Sequence, residues 1–187
     1  MASVPALKVW SAAVRLLHWG LVASLAAATL GLWWLGGLHQ PAGYVALAIV
    51  LSRLLWGVRG RARAGYDNYA RFVQFVCPPQ ATLAYLRLLL LSREPRYVGH
   101  NPLGGWMVLA LLACVTGLGL TGWLYTTDAY WGDATVERVH RALAWGLLAL
   151  VVLHVCGVVY TSLRHRENLI RAMLTGRKRA PAPHDEV

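Results

Sequence analysis

Residues 140–154 read HRALAWGLLALVVLH, and this stretch decides the fold. Apart from Arg141 and the histidines at its two ends, every residue is apolar or small. An α-helix turns about 100° per residue, so the fourteen steps from His140 to His154 return to within roughly 40° of the starting face, about 21 Å along the axis. The stretch therefore predicts one apolar helix that presents two imidazoles on the same face.

The composition places this helix in a membrane. Hydrophobic residues make up 57% of the chain and charged residues 14%, and the mean hydropathy is +0.47, unlike a soluble globular domain. Four apolar stretches approach the roughly 20 residues that cross a bilayer, where backbone groups must bond within a helix. They cover residues 9–38, 42–58, 103–125 and 139–163. We predict an all-α fold, an integral membrane four-helix bundle over residues 1–179, followed by a disordered tail at 180–187.

The distribution of basic residues predicts the orientation. The first connection (36–41) and the third (126–137) contain neither Lys nor Arg. The positive-inside rule therefore predicts a multi-pass protein of the bacterial cytoplasmic (inner) membrane, with both termini in the cytoplasm. Nucleic-acid binding is not favoured, because the residues behind the net charge of +10 flank the spans. The basic residues of the second connection and the tail are Arg59, Arg61, Arg63, Arg71, Arg87, Arg93, Arg96, Arg164, Arg166, Arg171, Arg177, Lys178 and Arg179.

The connection between spans two and three contains a further predicted helix. After Pro78 and Pro79, residues 80–91 carry apolar side chains at helical spacing, with Arg87 and Arg93 near the end. This pattern indicates an amphipathic helix on the cytoplasmic membrane surface. We favour a role in anchoring the connection to anionic lipid. The alternative is that the helix forms the floor of a site for a lipid-soluble substrate.

Four histidines fall at two matched depths when the spans are aligned as antiparallel helices. His18 lies seventeen residues from the periplasmic end of span one, and His154 lies seventeen from Glu137, which is about 25 Å in both cases. His39, at the entrance of span two, is level with His140. Ionisable side chains inside a membrane indicate function, and neutral imidazoles ligate haem iron axially. We therefore predict two stacked bis-histidine haems, one held by His18 and His154 and one by His39 and His140.

The competing interpretation takes each histidine as a polar residue that is hydrogen-bonded between helices. It must explain four residues on three spans separately, so we favour the paired sites. Two further histidines, His165 and His184, are expected to be solvated. His100, in the Gly-His-Asn-Pro turn before span three, is a candidate polar group beside a quinone or beside the inner haem, which is the one held by His18 and His154.

Three arginines are candidates to bind haem propionates, as Arg–carboxylate pairing would favour. Arg15 lies one turn before His18, Arg53 lies two turns inside span two, and Arg141 follows His140. Snorkelling to the lipid interface is the alternative for Arg15 and Arg141, but it is harder to apply to Arg53. The three cysteines are isolated and form no C-x-x-C motif. Covalent c-type haem and iron–sulfur ligation are therefore not supported.

Taken together, these motifs resemble the bacterial cytochrome b561 and nickel–iron hydrogenase cytochrome b subunit family, from about residue 9 to residue 179. The resemblance implies one haem ligand on span one, one on span two and two on span four, which transfers to His18, His39, His140 and His154. One departure is Pro41, which is tolerated at a helix start but leaves His39 near the helix boundary. The matching stretches are VRLLHW (14–19), His39-x-x-x-Gly43, RLLWG (53–57), GHNPLGG (99–105), VHR (139–141) through His154, and HRENL (165–169).

The resemblance also implies a function, which is transmembrane electron transfer by two non-covalent b-type haems, with no catalytic side chain. We expect the chain to connect a periplasmic dehydrogenase or c-type cytochrome with the quinone and quinol of a respiratory chain. Two alternatives stay open: a self-contained oxidoreductase that acts on a small molecule such as superoxide with quinone, and a haem-free metal transporter. Membrane lipid is an expected partner, and a homodimer is left open.

Overall fold

The computed structural model describes residues 6–34, 37–59 and 71–186. Arg61 and Arg63 of the second connection lie outside these ranges, and so does Leu35, the end of span one from which the depth of His18 was counted. The chain divides into two compact units, and each is described by itself. Unit 1 comprises Met1–Arg15, Trp56–Val108 and Leu153–Val187, and unit 2 comprises Leu16–Leu55 and Leu109–Val152.

The described residues are mostly helical. Four of the helices (α1, α2, α5 and α6 below) are long and apolar enough to cross a membrane, so the prediction of an all-α fold with four membrane-spanning helices is confirmed. A further short helix coincides with the expected amphipathic segment. In chain order the elements are β1 (Ala6–Lys8), α1 (Ala12–Trp33), α2 (His39–Arg59), α3 (Phe72–Phe75), α4 (Pro79–Leu90), α5 (Pro102–Leu124), α6 (Ala134–Arg164), α7 (Leu169–Thr175) and β2 (Arg177–Arg179).

Two helix starts differ from the sequence expectation in ways that affect the histidines. His39 is the first residue of α2, and Pro41 is therefore in the first turn, where no backbone N–H needs an intrahelical partner. Helix α6 begins at Ala134 rather than at residue 139, because the side chain of Asp133 caps it by accepting from the backbone N–H of Thr135 at 2.8 Å and of Val136 at 2.9 Å. His140 is consequently almost two turns inside α6.

Glycines allow close helix packing within unit 2. A Cβ on Gly119 of α5 would lie 2.7 Å from Leu47 of α2, and one on Gly117 would lie 3.0 Å from Leu143 of α6. Small residues at such crossings are the usual basis of helix association in membranes, where lipid removes most of the hydrophobic driving force. The α5 helix is thereby packed directly on both helices that carry His39 and His140.

Unit 1 has its own small core. The side chains of Val9, Trp10, Val14 and Val98 pack together and are buried. Strands β1 and β2 pair antiparallel beside this core, with Leu7 opposite Lys178. Helix α7 is followed by a C-terminal cap at Gly176, whose φ of 78° is the left-handed conformation that favours glycine at this position.

The C-terminal tail is joined to unit 1 by ion pairs, which differs from the expectation of a disordered tail. Arg96 is 5% exposed, and it donates to both carboxylate oxygens of Glu167, at 3.1 and 2.8 Å, and to Asp185 in the tail. The backbone N–H of Val98 also donates to the carbonyl of Glu186 at 3.0 Å. Polar composition predicted disorder because it offers no apolar surface, but it did not reveal a buried arginine that needs carboxylates.

Candidate functional site

His39 and His140 lie side by side in unit 2. Their ring centroids are 6.1 Å apart, and the ring planes are inclined by 78°. A metal–imidazole bond of about 2.0–2.1 Å, with roughly 1 Å more from each nitrogen to its ring centroid, places two imidazoles on opposite sides of one metal ion about 6 Å apart. The separation of these two rings therefore fits axial ligation of a single iron.

Each of these imidazoles is held through its Nδ1 atom. Nδ1 of His39 lies 3.0 Å from the carbonyl oxygen of Ala28 in α1, and Nδ1 of His140 lies 2.9 Å from the hydroxyl oxygen of Thr121 in α5. A ligating histidine commonly donates its other ring N–H in this way, which sets the tautomer and the ring orientation. If these histidines ligate a metal, the arrangement leaves Nε2 of each ring to bind it.

The donor set suits haem rather than a bare metal ion. Among residues 6–34, 37–59 and 71–186, no group of three or more His, Cys, Asp and Glu side chains is placed to hold a metal. A structural zinc site takes four protein ligands and a catalytic site three. Haem iron needs only axial ligands from the protein, because the porphyrin supplies the other four. Two imidazoles alone are thus the set that a b-type haem requires.

Two glycines make room around the histidine pair. A Cβ on Gly31 of α1 would lie 2.5 Å from the backbone nitrogen of His39, and a Cβ on Gly122 of α5 would lie 3.3 Å from Cε1 of His140. The first distance is shorter than real Cβ contacts, so any other residue at position 31 would force the start of α2 to move. The second is tight enough that only glycine leaves the His140 ring undisplaced.

The predicted inner ligands are on the same helices as expected, but in different units. His18 is half-buried on α1 in unit 2, with its ring centroid 5.2 Å from that of Trp19. His154 is half-buried on α6 in unit 1. Their pairing across one haem stays a prediction that rests on the matched depths.

The predicted propionate-binding arginines have different surroundings. Arg53 is 9% exposed on α2 in unit 2, which removes snorkelling as an explanation for it. Arg15 donates to the carbonyl of Leu174 at the end of α7, and Arg141 is exposed and paired with Glu137 one turn before it. All three stay predicted as propionate partners.

His100 lies in unit 1 between two aromatic side chains. Its ring centroid is 4.9 Å from that of Trp10 and 4.4 Å from that of Phe75. The neighbouring Asn101 accepts a hydrogen bond from the backbone N–H of Gly104 at 2.6 Å and so caps the start of α5. The Gly-His-Asn-Pro turn therefore has a structural role, and the role of His100 at a cofactor stays a prediction.

A second candidate site in unit 1 was not identified by residue from the sequence. A groove of about 500 Å³ lies between the end of α4 and α6, and its lining is mostly apolar. The hydroxyl of Tyr160, in this lining, donates to Oε1 of Glu94 at 3.0 Å, and Nε of Arg164 donates to the same oxygen at 3.1 Å. The groove is lined by Leu89, Leu90, Ser92, Cys156, Gly157 and Tyr160.

Glu94 is the charged group behind this groove. Its side chain is 0% exposed, and its Oε2 has no hydrogen-bond partner in the described part of the chain. Burial opposes ionisation, but its own backbone N–H, the Tyr160 hydroxyl and the charge of Arg164 together lower the pKa of Glu94. Glu94 is thus an ionised, buried carboxylate behind the groove, held by Tyr160 and Arg164 through Oε1.

Sequence reasoning missed the groups that hold His39 and His140. Thr121 could have been found as the hydroxyl at the depth of His140 within the glycine-rich stretch 117–122. The Ala28 carbonyl has no sequence signal, because every residue carries a carbonyl and only packing decides which one meets an imidazole.

Comparisons with known proteins agree with the four apolar helices. A family model described as prokaryotic cytochrome b561 matches residues 9–176. Three similar curated proteins each carry the name "Probable Ni/Fe-hydrogenase B-type cytochrome subunit". The one from Bradyrhizobium diazoefficiens is 26% identical over 75% of this chain and 64% of its own length. The one from Azotobacter vinelandii is 27% identical over 74% of this chain and 65% of its own length. The one from Rhizobium leguminosarum bv. viciae is 22% identical over 75% of this chain and 67% of its own length.

The chain spans less than two thirds of the length of the first two of these relatives. No solved structure matches the chain significantly. The family model nevertheless covers all four membrane-spanning helices in full, since its range runs from before α1 to just after α7. The chain therefore belongs to the prokaryotic cytochrome b561 family, whose members are membrane b-type cytochromes of electron transfer.

Proposed function

We propose that this protein is a di-haem b-type cytochrome that carries electrons across the cytoplasmic membrane between a periplasmic redox partner and the quinone pool. His39 and His140 would hold the outer haem, and His18 and His154 the inner one. The observation that carries the proposal is the outer pair, with ring centroids 6.1 Å apart and both Nδ1 atoms hydrogen-bonded.

The side chains position and insulate the redox groups. When bound, haem supplies reversible one-electron chemistry at its iron. The Ala28 carbonyl and the Thr121 hydroxyl keep both Nε2 atoms free for ligation. The fourteen residues from His140 to His154 on α6 set a spacing of about 21 Å between the two ligands of that helix.

The proposed periplasmic partner is a dehydrogenase. The relatives are named as subunits of Ni/Fe-hydrogenases, which supports an enzyme of that kind, and a c-type cytochrome is the alternative. The connection between α5 and α6 is the expected contact surface, since it contains acidic Asp128 and Asp133 without any Lys or Arg. Trp131 within it is 74% exposed, and exposed tryptophan is typical of both contact surfaces and membrane boundaries.

The proposed quinone site is the groove between α4 and α6. A quinone has an apolar ring and tail, which suit the leucine lining, and its reduction to hydroquinone takes up two electrons and two protons. A hydroquinone hydroxyl would donate to the hydroxyl oxygen of Tyr160 in the lining, whose own proton is directed to Oε1 of Glu94. His154 lies six residues before Tyr160 on α6, so an inner haem at His154 would be near this groove.

The test measures the haem content of purified variants. His39→Ala and His140→Ala should each reduce the haem-to-protein ratio from two to one, and the double variant should lose no more than either single variant. His184→Ala, in the tail, is the matched control and should keep two haems. Haem content is read from the pyridine haemochrome spectrum of detergent-solubilised protein.

Two results would contradict the proposal. If both single variants kept two haems, His39 and His140 would not be ligands. If the wild-type protein gave no α-band in a reduced-minus-oxidised spectrum, while binding a divalent metal through these histidines, it would be a metal transporter.

A further inference from the structure

We propose that Thr121 is a positioning residue that holds His140 in the tautomer and orientation needed for ligation through Nε2. The inference rests on the proposed function, because it assumes that His140 is an axial ligand. Thr121 is on α5, a helix to which neither the sequence patterns nor the family resemblance assigned any haem-binding role.

The direction of each hydrogen bond follows from the atoms present. The Thr121 hydroxyl lies 2.7 Å from the carbonyl oxygen of Gly117, one turn earlier on α5. A carbonyl oxygen only accepts, and two oxygens at that distance repel unless a proton lies between them, so the hydroxyl proton points to Gly117. The carbonyl of Leu118, 3.2 Å away, is a second acceptor for the same proton. With its proton directed to a backbone carbonyl, Oγ1 accepts in the 2.9 Å contact with Nδ1 of His140, and Nδ1 therefore carries a proton.

The protonation of Nδ1 decides the ligating atom. A neutral imidazole carries one proton, so Nε2 of His140 is left with its lone pair. The alternative tautomer would place two acceptors, Oγ1 and Nδ1, at hydrogen-bond distance with no proton between them. In a half-buried position inside a membrane-spanning helix, such a pair is unfavourable, because neither acceptor meets a donor. Thr121 thus selects the ligating tautomer before any iron binds.

The two axial histidines are held in chemically different ways. His39 donates to a backbone carbonyl, that of Ala28, which a substitution at position 28 does not remove. His140 donates to a side chain, and Gly122 beside Thr121 leaves only 3.3 Å between its would-be Cβ and Cε1 of His140. The Thr121-Gly122 dipeptide therefore both orients and confines the ring. Substitution of a hydrogen-bonding side chain should therefore alter the outer haem through His140 rather than through His39.

The experiment removes the hydroxyl while keeping the shape of the side chain. Thr121→Val is nearly isosteric, Thr121→Ser restores the hydroxyl, and Thr121→Ala serves if the valine variant does not accumulate. Thr116→Val is the matched control, because Thr116 makes the same bond to the carbonyl one turn earlier (Leu112, 2.8 Å) on the same helix. Each variant is purified in detergent with its haems.

Three measurements report on ligation rather than on turnover. Loss of a hydrogen-bond partner of a metal ligand typically changes metal affinity by about 10–100-fold. Thr121→Val should therefore release one of the two haems to an excess of apomyoglobin about 10–100 times faster than the wild type does. The midpoint potential of that haem should rise, because a less basic imidazole stabilises the oxidised iron less. Its low-spin electron paramagnetic resonance signal should also shift. Thr121→Ser should match the wild type on all three readouts.

The outcomes separate this inference from the proposed function. If His140→Ala loses one haem but Thr121→Val behaves like Thr116→Val, the positioning role is overturned and the ligand assignment stands. If Thr121→Ser fails as Thr121→Val does, the hydroxyl is not the group that matters, and the inference is again overturned. If His140→Ala itself keeps two haems, the proposed function fails first.

Discussion

The carbonyl oxygen of Ala28 lies 3.0 Å from Nδ1 of His39, so the first residue of α2 is tied to the interior of α1. Ala28 is buried, and the contact is made across a connection of only a few residues. A carbonyl can only accept, and His39 is therefore protonated on Nδ1. The orientation of this imidazole depends on backbone packing, which is stiffer than a contact between two rotatable side chains.

Gly31→Ala should remove the outer haem by displacing His39. The added Cβ would lie 2.5 Å from the backbone nitrogen of His39, so α2 must shift away from α1. We expect the haem-to-protein ratio to fall from two towards one, with loss of the Ala28–His39 hydrogen bond. Gly43→Ala, one turn after His39 on α2, is the control, because nothing lies within 4 Å of its Cβ position. Equal haem content in the two variants would show that this close approach is not needed.

His18→Ala and His154→Ala should each remove the same, inner haem. If both residues ligate one iron, the double variant loses no more haem than either single variant, because the effects of partners in one site are not additive. The measurement is the haem-to-protein ratio together with redox titration of the haem that remains. Loss of both haems in the double variant would mean that the two histidines belong to different sites.

Tyr160→Phe should weaken quinone turnover without changing haem content. The substitution removes the hydrogen bond to Glu94 at 3.0 Å, and a bond to a charged group is worth about 1.5–3 kcal/mol, which corresponds to roughly ten-fold or more in kcat/KM. The assay follows oxidation of chemically reduced protein by a soluble quinone analogue. Tyr44→Phe is the control, since Tyr44 is on α2 in unit 2, outside the groove. Equal rates of quinone reduction for the two variants would exclude this groove as the quinone site.

Lys178 should make the protein more stable as the pH rises from 8 to 10.5. Burial lowers the pKa of Lys178 from 10.5 to about 8, so between these values the folded chain binds fewer protons than the unfolded chain. The free energy of unfolding then increases with pH over this interval, by roughly 3 kcal/mol from this group.

The pH dependence is measured as the difference between wild type and Lys178→Met in denaturant unfolding at pH 8, 9 and 10. Groups other than Lys178 titrate in both proteins, so the difference isolates this residue. Lys8→Met, an exposed lysine on β1, should show the wild-type slope. A parallel slope in Lys178→Met would contradict the lowered pKa.

Much of the fold followed from one-dimensional patterns. The apolar stretches predicted four helices, since lipid leaves no other way to satisfy the backbone. The fourth helix was expected to begin at residue 139, but it begins five residues earlier, at Ala134. Apolar character begins near residue 139, whereas the capping residue Asp133 lies in polar sequence. The tail was expected to be disordered, because a composition rule does not register that buried Arg96 requires the carboxylates of Glu167 and Asp185.

The sequence by itself determined the membrane class, the four helices and the candidate pairing of His39 with His140, because hydropathy and helical rise act along one chain and need no knowledge of its neighbours. Only the tertiary structure decided how that pair is held. The Ala28 carbonyl, the Thr121 hydroxyl and the clearance at Gly31 and Gly122 come from helices that meet in space. Hydrogen bonds and steric contacts act over about 3 Å, so residues far apart in sequence acquire these roles only when the helices pack.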